Sequence, residues 1–279
     1  MKETKTEYLR IKKLRPFEGH PFKVADNEEM DQLVESIQAQ GVLTPLVVRP
    51  LNNGEYEVIS GHRRLHACKR AGIETVPAMI TEMDRDAAAI ALVDSNLHRE
   101  HILPSEKAFA YKLKMDALNR QGTSRQVGEK LSVTQISEVT EDSERQIHRY
   151  IRLTNLIPEI LQMVDDGRIA LTPAVELSYL TKWEQKDLLE TMESEDCTPS
   201  LSQAMTLKAA SQTRELNMDR IFDIMTQPKP NQQERIRFDV SDIRKFFPQS
   251  YTTAKIQKTI YQLLENYQRT WKRSDRNDR

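Results

Sequence analysis

Hydrophobic and polar positions follow two different periods along this chain, and the change of period divides it. Glu28–Gln40 carries Met30, Leu33, Val34 and Ile37 at helical spacing, and Gly41 ends the run. Leu46-Val47-Val48 reads as a strand, Asn52-Asn53-Gly54 as a hairpin turn, and Tyr56–Ile59 as the returning strand. A helix opens at His62 and runs to Ala71, with Gly72 as its stop. Val76–Ile80 is a further strand, and Asp84 is placed to cap a helix that carries Ala87–Val93 and ends near Asn96. Such alternation predicts a small α/β unit. From Leu103 the helical period takes over. Pro104-Ser105 opens a helix to Gln121, stopped by Gly122, and further helices follow to about Leu216. Gln227–Gln233, with two prolines, reads as a linker. Beyond it lie a strand candidate, Arg235–Val240, and a long helix from Thr252 to Lys272.

The expected fold class is therefore α+β and mostly helical. Residues 1–15 are expected as an arm, 16–102 as a small α/β domain and 103–226 as a helical domain. Residues 227–233 are the linker, and 234–279 a C-terminal domain. In that last part Ile256, Ile260, Leu263, Leu264, Tyr267 and Trp271 share one stripe. The stripe fits core packing against Phe246-Phe247 and the 235–240 strand, or a dimer interface, equally well.

Composition narrows the chemistry. The 279 residues hold 41 basic and 42 acidic side chains, for a net charge of −1, so any basic surface is local rather than general. The two cysteines, Cys68 and Cys197, stand far apart and not at metal spacing. That argues against a disulfide scaffold or a zinc site and fits a reducing cytosol. No apolar run has membrane-spanning length, and no membrane partner is expected.

Two constellations carry chemistry. In the first, the strand Tyr56–Ile59 leads through Ser60-Gly61 into a helix whose first turn holds His62, Arg63 and Arg64. A helix start offers unpaired N–H groups and a positive dipole end, so acids are the usual residues there. Two arginines in their place fit a bound anion, phosphate foremost, and Gly61 lets the backbone approach it. The bland alternative is two solvated surface arginines. In the second, 133–139 is a short helix, Thr140–Ser143 a polar turn, and Ser143-Glu144-Arg145-Gln146 has the form of a capping box. The helix it starts has Ile147, Tyr150, Ile151 and Thr154 on one face and Arg145, His148, Arg149 and Arg152 on another. A helix-turn-helix at 133–155 with a cationic second helix fits the major groove of double-stranded DNA. Arg145 and Arg149 would lie toward the bases, while His148 and Arg152 could equally meet phosphates. A solvated charged face is the commoner fate of such a stripe, but this face lacks acids.

Taken in order, Gly41–Val48, Gly61-His62-Arg63-Arg64, Asn96-Leu97-His98-Arg99-Glu100, Pro104–Ala108, the helix-turn-helix, Tyr150–Leu153 and Leu156-Ile157-Pro158 resemble the ParB family of DNA-partition and nucleoid-occlusion proteins over about residues 10–215. The resemblance implies that the N-terminal domain binds CTP with Mg2+ and that the helix-turn-helix binds a centromere-like site. It also implies a homodimer that closes into a sliding clamp, a ParA-like Walker ATPase partner engaged through the N-terminal arm, and a cytoplasmic place on nucleoid or plasmid. It assigns Gly61, His62, Arg63 and Arg64 to the triphosphate, Asn96 to the metal, Arg99 to phosphate, and Thr44 and Pro45 to the loop that lines the nucleotide.

Three departures stand out. His62 replaces the family's usual glutamate, Ser95 the acid before Asn96, and His20-Pro21-Phe22 lacks an arginine. Magnesium favours hard, often carboxylate oxygens, so the expectation is a nucleotide-responsive clamp with weak or altered CTPase activity. The alternative is a repressor or copy-number regulator of the same family without a working nucleotide switch. Gly-His-Arg also resembles sulfiredoxin, whose reactive cysteine precedes that histidine; here the position is Gly61, and Cys68 lies farther on. A kinase or nuclease variant of the fold would need an acidic cluster near His62, which the sequence lacks.

Overall fold

A computed structural model describes residues 6–99, 101–121, 133–140, 142–227, 243–248 and 251–277. Two compact units result, Met1–Gln227 and Pro228–Arg279.

The first unit begins with a five-stranded sheet, β1 (Thr6–Arg10), β2 (Leu14–Pro16), β3 (Leu46–Pro50), β4 (Tyr56–Ser60) and β5 (Thr75–Ile80). The spatial order is β1-β5-β3-β4-β2. β1 pairs antiparallel with β5, which runs parallel to β3; β3 is antiparallel to β4, which runs parallel to β2. Here the structure corrects the sequence reading. Residues 6–16, expected within an arm, supply both edge strands. β1 alternates too weakly to be legible, since Leu9 is its one buried residue. It is a strand because Thr6–Arg10 aligns residue for residue with Thr75–Met79.

One face of the sheet packs on α1 (Glu28–Gln40) and α2 (His62–Arg70), with Met30, Ile37, Leu46, Val48, Val58, Leu65, Ala67 and Cys68 in a shared core. The other face packs on α3 (Arg85–Leu97) and α4 (Pro104–Gln121) through Ile59, Leu92, Val93 and a run of alanines. Asn27 and Asp84 cap α1 and α3 by accepting from Met30 and Ala87 N–H.

The rest of the unit is helical: α5 (133–139), α6 (Glu144–Leu153), α7 (Pro158–Asp165), α8 (Leu171–Leu177), α9 (Lys182–Ser194), α10 (Leu201–Gln212) and α11 (Met218–Thr226). α4 is the spine. Ala110 and Ala117 face the sheet-side core, Ala108 faces the core of α6–α11, and Tyr111 faces the core of α5 and α6. A helix buried on three sides cannot show one apolar stripe, so its start was legible but its role was not.

Two buried polar residues at that start fix its direction. Ser105 donates from N–H and hydroxyl to Asp165 of α7 (2.9 and 2.6 Å). The Glu106 carboxylate accepts from Leu103 N–H (3.1 Å) and from Lys23 N–H (2.7 Å) in the loop before α1. The sheet domain and the helical region are thus tied at one turn.

In the second unit α12 (Thr253–Asn277) is the long expected helix. Ile256 is buried, whereas Leu263, Leu264 and Tyr267 are exposed. The Arg235–Val240 strand, most of the linker, Glu100 and Gly122 lie outside the described residues, as does the side chain of Trp271. Among the described residues no helix is long and apolar enough to cross a membrane.

Removing the Glu106 carboxylate strands two backbone donors. Glu106→Ala should therefore lower stability by about 2–4 kcal/mol, with Glu106→Gln retaining part of it. Urea unfolding followed by circular dichroism measures the difference.

Candidate functional site

The strand-to-helix turn at Gly61 organises the first site. Gly61 caps α2 in a left-handed conformation (φ 101°, ψ 24°). A Cβ there would lie 3.1 Å from the Arg64 guanidinium and 3.1 Å from Leu46, so a side chain is excluded by both conformation and space. With no Cβ in the way, Arg64 crosses the turn and its Nη1 donates to the carbonyls of Thr44 and Pro45 (2.8 Å to Pro45). Burial pulls its guanidinium below the ordinary value.

Beside this turn lies a cleft of about 510 Å³. It brings together Gly61, His62, Arg63, Arg64, Asn96 and Arg99, which the sequence had singled out from two segments. Thr44 and Pro45 do not line it; they touch it through Arg64. Arg63 is partly exposed and paired with Glu29 of α1 (3.0 Å). Arg99 lies over the Phe22 ring, 5.6 Å from its centroid. Burial lowers the Arg99 pKa most, the Glu106 carboxylate raises it, and Arg63 lowers it. Cations held near one another at the first turn of a helix, whose own N–H groups are unpaired, form a surface selective for anions.

Asn96 is buried. Its amide donates to Leu92 O (2.7 Å) and to Ser95 Oγ (3.2 Å), while Ser95 Oγ donates to Leu92 O (2.9 Å). Asp94 turns away to pair with Lys114 of α4, a lysine only 4% exposed. Glu29, Gln32, Ser60 and Ser95 also line the cleft. Of these, Glu29 and Gln32 escaped sequence reasoning, although they border the apolar stripe of α1 and could have been found as its polar edge.

His62 stacks on His20, with ring centroids 3.8 Å apart. His20 Nδ1–H donates to Phe22 O (2.7 Å), and His20 Nε2 is buried without a partner. Phe17 N–H donates to His62 Nε2 (3.4 Å), so the ring carries its proton on Nδ1. Burial, then His20 and Arg99, push the His62 pKa down to about 3. Burial likewise lowers that of His20. Both rings are neutral at physiological pH. Cys68 is buried in the sheet core, and burial raises its thiol pKa, which removes it as a nucleophile for the cleft.

The second site is the pair α5–α6. Ser143 caps α6 by accepting from Gln146 N–H (3.3 Å). The other half of the expected capping box is replaced: Gln146 Oε1 accepts from Arg149 Nη1 (3.0 Å), one turn along. Thr134 of α5 donates to Glu144 (2.7 Å), bridging the two helices. Ile147 and Leu153 are buried, and Tyr150 and Ile151 are half-buried. The four cationic residues separate into two kinds. Arg145 and His148 are exposed. Arg149 also donates to Thr172 of α8 (2.6 Å), and Arg152 donates to Ser178 O (2.9 Å) and lies 3.9 Å from the Tyr179 ring centroid. Arg152 is thus spent on joining α6 to α8, a role that required knowing where α8 lies. The turn itself is anchored by Asp142, which accepts from Tyr111 (2.5 Å) and Lys107 (2.9 Å) of α4.

Residues 1–97 match the ParB N-terminal domain family. Over 238 residues the chain is 29% identical to the probable chromosome-partitioning protein ParB of Vibrio cholerae, covering 85% of this chain and 77% of that protein. It is 33% identical over 188 residues to the chromosome-partitioning protein Spo0J of Thermus thermophilus, covering 65% and 64%. The match thus spans less than two thirds of the Thermus protein. C-terminally truncated ParB of Caulobacter crescentus, solved in two complexes, is also similar. With the centromeric parS site it is 22% identical, covering 74% of this chain and 99% of that one, at a TM-score of 0.42. With CTP-gamma-S it is 26% identical, covering 62% and 92%, at 0.32.

The neutral histidine pair sets a pH dependence. A folded-state pKa of about 3 for His62 means that the unfolded chain takes up a proton near the ordinary value of about 6.5, where the native chain does not. Stability is therefore complete above that value and falls as pH drops toward 3. His62→Gln should lose less stability than the parent between pH 7 and pH 5, about the range where an unfolded histidine titrates, as urea midpoints at each pH will show.

Proposed function

The chain belongs to the ParB family, and from that premise we propose that it is a sequence-specific DNA-binding partition protein that works as a CTP-responsive dimeric clamp. The observation that carries the reading is the joining, through α4, of an anion-selective cleft to an exposed cationic helix-turn-helix in one compact unit. The relatives named above are chromosome-partitioning proteins; segregation of a chromosome, plasmid or mobile element is the role proposed here.

In the cleft, Arg63, Arg64 and Arg99 would bind the triphosphate with the amides of the α2 first turn, and Gly61 would admit it close to the backbone. Arg64 would in addition hold the 44–45 loop in place. CTP would supply negative charge and a base, and the chain's own residues would bind and orient it. The residues present fit the nucleotide but not its usual metal. Among the described residues the one carboxylate lining the cleft, Glu29, is paired with Arg63, and Asn96 uses its amide on its own helix.

At the DNA, Arg145 and His148 project from the start of α6, where base edges are met. Arg149, held by Gln146 and Thr172, would have its direction set before contact. The exposed Leu263, Leu264 and Tyr267 of α12 would supply the surface for a second copy. A ParA-like ATPase completes the proposed partners.

Footprinting on a centromere-like site, with and without CTP, tests this reading. A protected region that spreads when CTP is added supports the clamp, and protection that never spreads supports the repressor alternative. Arg145→Ala should weaken specific binding by about 1–3 kcal/mol with the fold intact. Arg152→Ala should instead lower the unfolding midpoint, because its bonds run to Ser178 and Tyr179. Competition gel shifts paired with thermal melts separate the two effects.

A further inference from the structure

We infer that the cleft takes a triphosphate without a divalent cation, with the guanidinium groups of Arg63, Arg64 and Arg99 supplying the positive charge. The inference rests on the nucleotide reading above and deepens it.

Magnesium at a nucleotide site keeps several waters and is held through one or two carboxylates together with the phosphates. The cleft offers neither carboxylate in usable form. Glu29 sits at its rim, 70% exposed and ion-paired with Arg63. Asp94, beside Ser95 and Asn96, is drawn off by Lys114. Among the described residues no group of three histidine, cysteine or acidic side chains could hold a metal.

The neutral atoms are also spoken for. Asn96 spends its amide nitrogen, and Ser95 its hydroxyl proton, on Leu92 O. That leaves the Asn96 amide oxygen as the neutral ligand of a cleft that is also lined by Arg63, Arg64 and Arg99. His62 cannot substitute: its Nε2 lone pair takes the Phe17 N–H and its Nδ1 carries the proton. A dication placed here would meet three guanidiniums before it met an anionic ligand. A polyphosphate would meet those same groups, of which Arg64 is half-buried and therefore less screened. The α2 amides would add to their attraction.

Isothermal titration of the full chain with CTP, in magnesium buffer and in EDTA, tests the inference. Affinities equal within about twofold are expected, and a loss of about tenfold or more in EDTA overturns it. Inorganic tripolyphosphate in EDTA is the second probe. It should bind the parent, and bind Arg99→Ala and Arg63→Ala more weakly. If tripolyphosphate binds and CTP does not, the metal-free anion site stands and the nucleotide reading fails. If CTP binds only with magnesium, the nucleotide reading stands and this inference fails. Binding of neither probe overturns both. Returning a carboxylate by Ser95→Glu, or by His62→Glu should the first not fold, is expected to weaken CTP binding in EDTA and to let magnesium restore it. A folded acidic variant indifferent to magnesium would overturn the argument from missing ligands.

Discussion

Arg64 reaches over Gly61 to the carbonyls of Thr44 and Pro45, and the cleft takes its form from that contact. The contact exists because position 61 has no Cβ and can hold φ at 101°. Once Arg64 is committed there, the loop before β3 is fixed against the start of α2. The remaining cations, Arg63 and Arg99, then face the open side. Hydrogen bonds from a guanidinium to neutral carbonyls leave its charge uncancelled. Arg64 therefore builds the wall and also charges it.

The cleft and the helix-turn-helix are linked by packing more than by chain order. α4 presents Ser105 and Glu106 to the sheet domain and α7, Lys114 to Asp94 beside the cleft, and Tyr111 with Lys107 to Asp142 in the turn before α6. Displacing α4 would disturb all three sets of bonds together. A physical route from the cleft to the helix-turn-helix therefore runs through one helix, along which Ser105, Glu106, Tyr111 and Lys114 are buried polar groups. Buried polar groups are costly to leave unpaired, so intermediate positions of α4 are disfavoured.

His62, at the position where the resemblance leads one to expect a glutamate, does more than leave a charge out. A neutral imidazole can stack on His20, and the stack fills space against the loop that carries Phe17 and Phe22. A carboxylate in that place would need water or a cation. At this position the site thus relies on packing and not on ionic chemistry. That the stack is stable only while both rings are neutral follows from burial and mutual repulsion.

Local features were legible in the sequence because local forces decide them. The caps at Asp84 and Ser143, the glycine stops, the α1 stripe and the acid-free start of α2 each involve residues within a turn of one another. Motif order also showed that Gly61–Arg64 and Asn96–Arg99 belong to one site. What tertiary structure alone decided is how those groups are employed. β1 is a strand because β5 lies beside it; α4 is a spine because three cores meet on it. Arg152 is a brace because Tyr179 stands under it, and Asp94 is unavailable to the cleft because Lys114 claims it. Charge and periodicity are properties of the chain, but the partner a charge finds depends on contacts between residues distant in sequence, and no spacing rule encodes those.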